Sequence, residues 1–120
     1  MQDRPTAAEL VEAVAEFLAR DIAPRLDGRD AFQLRVALNA LGIVQRELVL
    51  GSELDAAEHA RLVALLGHDG TTLDLEQELA RAIRDGSIDG ERTDVVDHVR
   101  ATVRGKLLVA NPKYVEENQR

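Results

Sequence analysis

No cysteine occurs in the chain, which removes disulfide staples, thiolate nucleophiles and thiolate metal ligands and fits a reducing compartment. Aromatics are nearly as scarce. Phe17, Phe32 and Tyr114 are the whole set, so no ladder of rings exists on which single-stranded bases could stack. Basic residues are outnumbered, 15 Lys and Arg against 22 Asp and Glu, and the net charge of −7 opposes the sequence-independent grip on phosphates that nucleic-acid binding needs. The longest apolar run falls far short of the roughly 18 residues of a membrane span. The opening Met1-Gln2-Asp3-Arg4-Pro5 is too polar for a secretory signal. The expectation is a cytoplasmic protein that partners neither nucleic acid nor membrane.

Chemical signatures are missing as well. There is no GxGxxG, phosphate loop or nucleophile elbow, so no catalytic residue is assigned and no cofactor is expected. His59, His68 and His98 lack the i, i+4 pairing of a zinc enzyme, and no metal site is expected. His68-Asp69 has the form of a base and its orienter, but no nucleophile accompanies it.

What is present is aliphatic. A chain of 120 residues is one domain's worth and can bury one core, here of Leu, Val, Ile and Ala. Its organising stretch is Phe32 to Leu50, where Phe32, Leu34, Val36, Leu38, Leu41, Ile43, Val44, Leu48 and Leu50 surround most of a helix. Such a helix is expected to be enclosed by others. One edge is different: Arg35, Asn39, Gly42 and Arg46 follow each other at spacings of 4, 3 and 4 and share one side. Two arginines suited to bidentate contact, with a mid-helix glycine that costs about 1 kcal/mol against alanine, mark a docking groove. Against this stands the plain reading of a solvent face.

In chain order, Thr6 and Glu9 predict a capping box. The first helix would then bury Leu10, Val14, Phe17 and Leu18, with Val11 and Ile22, and stop at Pro24. A turn at 26–30 offers Asp27 or Asp30 as a cap. The central helix would run over about 31–50 and stop at Gly51, with Ser52 capping a third helix from Glu53 to Leu66. Gly67 closes that helix, and 67–71 is a loop. Thr72 opens a fourth helix, closed at Gly86, and a polar connection leads to a fifth. Val95, Val96, Val99, Val103 and Leu107 of the fifth would face inward, and it would end at Asn111-Pro112, with about 115–120 a loose tail. Glu47 and Lys106 each interrupt an apolar arc. Lys106 is expected to reach water from a helix C-terminus, with a pairing to Glu47 left open. The fold class is therefore all-α, a single-domain bundle over 1–120 of about five helices around a central apolar one.

Several stretches carry a likeness. They are Arg4-Pro5-Thr6-Ala7-Ala8-Glu9-Leu10, Phe32-x-Leu34-Arg35-Val36-Ala37-x-Asn39-Ala40-Leu41, Glu58-His59-Ala60-Arg61-Leu62, and Lys106-Leu107 followed by Asn111-Pro112-Lys113-Tyr114. The chain resembles a domain-of-unknown-function family of short bacterial helical proteins, typically encoded beside aminoglycoside-phosphotransferase-like kinases and acyl-CoA dehydrogenases. It is also similar to the small subunit of the hydroxyacyl-CoA kinase of levulinate catabolism. The resemblance implies a non-catalytic accessory subunit that binds and supports such a kinase. It adds Lys106, Asn111 and Tyr114, with Arg35 and Asn39, as residues of recurring motifs. The competing expectations are a self-associating bundle that forms a homodimer through the same edge and, least favoured, a small metal- or acyl-CoA-binding enzyme using Arg35, Glu47 and His59.

Overall fold

The computed structural model describes residues 4–118, and the final two residues of the expected tail lie outside that range. Among the described residues the chain is all α, without a strand: α1 (Ala7–Phe17), α2 (Gly28–Leu66), α3 (Thr72–Asp85), α4 (Thr93–Ala110) and α5 (Pro112–Asn118). A π-helical turn (Leu18–Ile22) and a 3-10 turn (Ala23–Arg25) follow α1. The chain divides into two compact units, Met1–Gly51 with Val109–Asn111, and Ser52–Leu108 with Pro112–Arg120. α2 contributes to both.

The N-terminal unit begins as expected. The Thr6 hydroxyl accepts from the Glu9 amide at 3.2 Å, and Glu9 returns the contact to the Thr6 amide at 3.2 Å, so two orphan donors are satisfied. Pro24 falls inside the 3-10 turn instead of directly ending α1. The face of α1 that the spacing assigned to the interior is not buried. Leu10, Val14 and Phe17 are exposed, and α1 has no buried residue.

Two further expectations are corrected on α2. Gly51 does not stop the helix and Ser52 does not cap a new one, because the 39 residues from Gly28 to Leu66 are continuous. Glycine ends a helix only by turning left-handed, and Gly51 is not among the positive-φ glycines. It is a helical residue whose absent Cβ makes room for the Glu47 carboxylate, 2.7 Å from where a Cβ would stand. Nor is the 32–50 stretch enclosed: Phe32, Val36, Ile43, Val44, Leu48 and Val49 are each 40–60 % exposed. The count of five helices stands, since α5 replaces the helix lost by this merger.

The second unit has a core. Leu62, Leu75 and Leu79 are buried, and Val63, Leu65, Leu66 and Ile88 pack against them. Leu62 and Leu66 stand one turn apart on α2, as do Leu75 and Leu79 on α3, so each helix presents one stripe. Gly67, at φ +81°, ends α2, and its amide donates to the Val63 carbonyl at 2.8 Å. Thr71, not Thr72, is the α3 cap, its hydroxyl accepting from the Asp74 amide at 3.1 Å. Gly105 is buried and lets α4 approach α2 closely, since a Cβ there would stand 3.2 Å from Leu54 Cδ2. Val95 faces inward as expected, whereas Val99 and Val103 are exposed.

The expected loose tail is instead helical over 112–118, with Val115 buried. Pro112, which cannot continue α4, takes the first position of α5, where its missing amide proton costs nothing.

Gly86 closes α3 at φ +83°. Gly86→Ala should destabilise the fold by about 1 kcal/mol, because a Cβ is strained in the left-handed region. Urea denaturation of the two proteins measures it, and an unchanged midpoint would show that the turn relaxes freely.

Candidate functional site

The arginine-edged seam of α2 splits along its length. Arg35 is exposed, its guanidinium 6.0 Å from the centre of the Phe32 ring, a separation at which cation–π attraction is felt. Asn39 is exposed as well. Further along, Arg46 folds back over Gly42, its Nη1 3.2 Å from where a Cβ would stand. Its Nε donates to the Val109 carbonyl at 2.6 Å. Helix ends leave carbonyls without intrahelical partners, and Arg46 satisfies one of them from within its own unit. Gly42 thus houses an arginine of the same helix.

Three sequence-predicted residues come from the C-terminal part of the chain. Lys106 is exposed on α4, Asn111 is exposed between α4 and α5, and Tyr114 is exposed on α5. Tyr114 sits in a shallow groove with Val99, Val103, Leu107 and Val115. Arg35, Asn39, Gly42, Arg46 and Asn111 belong to the first unit, and Lys106 and Tyr114 to the second. Glu47 is exposed, its carboxylate lying over Gly51.

A different cluster comes together in the second unit. α2, α3 and α4 line a groove of about 330 Å3 whose apolar wall includes Leu62, Leu79, Ile83, Val99 and Val103. Glu58, Glu76, His98, Thr102 and Lys106 supply its polar groups. A hydrogen bond to Glu76 is the main reason the Glu58 carboxyl is pushed up to about 7. Burial and the Glu76 charge add to it, while Lys106 and Arg61 pull the other way.

His98 is 6 % exposed. Arg61 Nε donates to its Nδ1 at 3.1 Å, so that nitrogen is the unprotonated acceptor and the neutral ring carries its proton on Nε2. Arg61 Nη2 also donates to the Thr102 hydroxyl at 3.2 Å. Burial, and then the Arg61 charge, hold His98 below the ordinary histidine value. Among the described residues, no three His, Cys, Asp or Glu side chains converge as metal ligands.

Apart from Lys106, these residues were not singled out from sequence, although spacing holds a signal for two of them. Glu58 sits midway in Leu54–Glu58–Leu62, and His98 in Val95–His98–Thr102–Gly105; each is a polar group on an inward stripe. Glu76 has no such signature, and only the meeting of α2 with α3 sets it against Glu58.

The other two histidines organise the 67–71 loop. His59 Nε2 donates to Asp69 Oδ1 at 2.9 Å and to the Gly70 carbonyl at 3.0 Å. His68 lies 2.7 Å through Nε2 from Glu78 and 3.0 Å through Nδ1 from the Asp69 carbonyl. Both its nitrogens face acceptors, which favours the doubly protonated ring, and its pKa is accordingly raised, chiefly by Glu78. The Gly70 amide, and then His59, hold Asp69 below the usual carboxylate range. His68 and Asp69 thus tie down a turn, the Asp69 carboxylate serving His59 and not His68.

Fold and groove together define an all-α protein with one packed helical unit and one helical unit of exposed aliphatic side chains. The match to a family model over residues 24–114 goes further: the chain belongs to the family described as "Domain of unknown function (DUF6285)". No curated protein and no solved structure matches it. No described helix is long and apolar enough to cross a membrane.

Proposed function

We propose that the chain is a non-catalytic subunit whose N-terminal unit binds a larger protein, a phosphotransferase-like kinase that acts on a hydroxyacyl-CoA. The observation that carries the binding role is the exposed aliphatic surface of α1 and the first half of α2. At about 100° per residue, Phe32, Val36, Ala40, Ile43, Val44 and Leu48 span about 160° of the α2 circumference. All six are exposed, as are Leu10, Val14 and Phe17 on α1. An exposed apolar stripe of this kind marks a binding face, and a helix as short as α1 depends on burying its apolar side for stability. The nature of the partner is supported by the resemblance set out above.

Co-expression with the neighbouring kinase, followed by affinity capture and gel filtration, tests the proposal. Co-elution, with kinase activity that falls when this chain is omitted, is the expected result. Separate elution and a kinase indifferent to the chain would overturn it. If the isolated chain then sediments as a dimer, the same face serves a second copy instead.

A further inference from the structure

The groove of the second unit holds two carboxyl groups from two different helices. Carboxylates are acceptors only, so Glu58 and Glu76 can hydrogen-bond to each other only when one carries a proton. Without that proton, two like charges face each other in a half-buried setting. We infer that a proton shared between Glu58 and Glu76 is a latch that fixes α3 against α2, and that its loss loosens α3.

The groups facing the pair oppose full neutralisation but do not replace the proton. Lys106 on α4 and Arg61 on α2 both favour ionised Glu58. Arg61 is committed to His98 and Thr102 through two of its nitrogens, and no salt bridge to either glutamate forms among the described residues. Lys106 is exposed, so solvent and salt screen its pull. His98, on α4, feels the Glu76 charge but is held neutral by burial.

The sign of the effect follows from linkage. Glu58 titrates near its ordinary 4.5 in the unfolded chain and at about 7 in the fold. The folded state therefore holds the proton more tightly. The stabilisation is complete below about 4.5 and is lost as pH rises to about 7 and beyond. His98 runs the other way: its depressed value gives stability above 6.5 that is lost as pH falls. Wild-type pH profiles mix the two, and a variant at position 58 separates them.

Glu58→Gln supplies an amide N–H donor to Glu76 that no rise in pH removes. Thermal unfolding and amide hydrogen exchange of α3 are compared between wild type and E58Q at pH 5.5 and 8.5, so that intrinsic exchange rates cancel at each pH. At pH 8.5, E58Q should melt several degrees higher and its α3 amides should exchange several-fold more slowly. At pH 5.5, where folded wild type keeps the Glu58 proton and much of its stabilisation remains, the gap should shrink markedly. An E58Q effect equal at both pH values, or a wild type more stable at both, would overturn the latch. If E58Q does not fold, carbon-detected titration of the Glu58 carboxyl in the native protein decides. A midpoint near 7 supports the shared proton, and one near 4.5 removes it.

Discussion

Leu62→Ala should remove about 2–5 kcal/mol of stability, the range for emptying a fully enclosed leucine site. Leu62 has no solvent-accessible surface and sits with Leu75 and Leu79 at the centre of the only apolar cluster described among these residues, ringed by Val63, Leu65, Leu66 and Ile88. The loss combines the transfer of buried methyl groups back to water with a cavity that the neighbouring helices only partly refill. Domains are stable by about 5–15 kcal/mol, so a loss at the upper end would leave the second unit largely unfolded at 37 °C. Urea denaturation followed by circular dichroism measures the change. A loss below about 1 kcal/mol would mean that this cluster does not hold α2 to α3.

On the same helix, about five to seven turns earlier, the opposite outcome is expected. Val36→Lys with Ile43→Lys should leave stability within about 0.5 kcal/mol for each substitution, as for exposed positions generally. Both side chains are already 40 % or more exposed, and lysine is the better helix former. Partner binding should weaken by roughly 30-fold or more, since central interface residues are each worth about 2 kcal/mol and two ammonium groups would be stranded in an apolar contact. Titration calorimetry or surface capture with the proposed kinase partner measures this. Unchanged affinity would move the binding face away from this arc. The pair of experiments separates what holds the chain together from what it holds on to.

The helical class was legible because it rests on local rules. The Thr6–Glu9 capping box, the loop at 67–71 and the glycine stops at Gly67 and Gly86 are each settled within a few residues. Gly51 was misread because glycine is compatible both with a left-handed stop and with a helical position where a side chain needs room. Only the Glu47 carboxylate lying over it distinguishes the two. Val115 shows the same limit at the other end, where a polar-looking tail is ordered as a helix with one buried valine. On the candidate site, the Arg35–Arg46 edge was visible as a periodicity, yet spacing cannot tell that Arg46 turns inward to the Val109 carbonyl while Arg35 stays in water.

By itself the sequence determined the secondary-structure class, most helix ends and the aliphatic character of the core, because capping, periodicity and charge act over one or two turns. Tertiary structure decided which apolar stripe is covered. Periodicity says that a stripe exists, and only neighbouring helices say whether it is buried, as at Leu62, or left open, as at Val36. The meeting of Glu58 with Glu76 was decided in the same way, since a contact between residues 18 apart on two helices depends on how those helices pack.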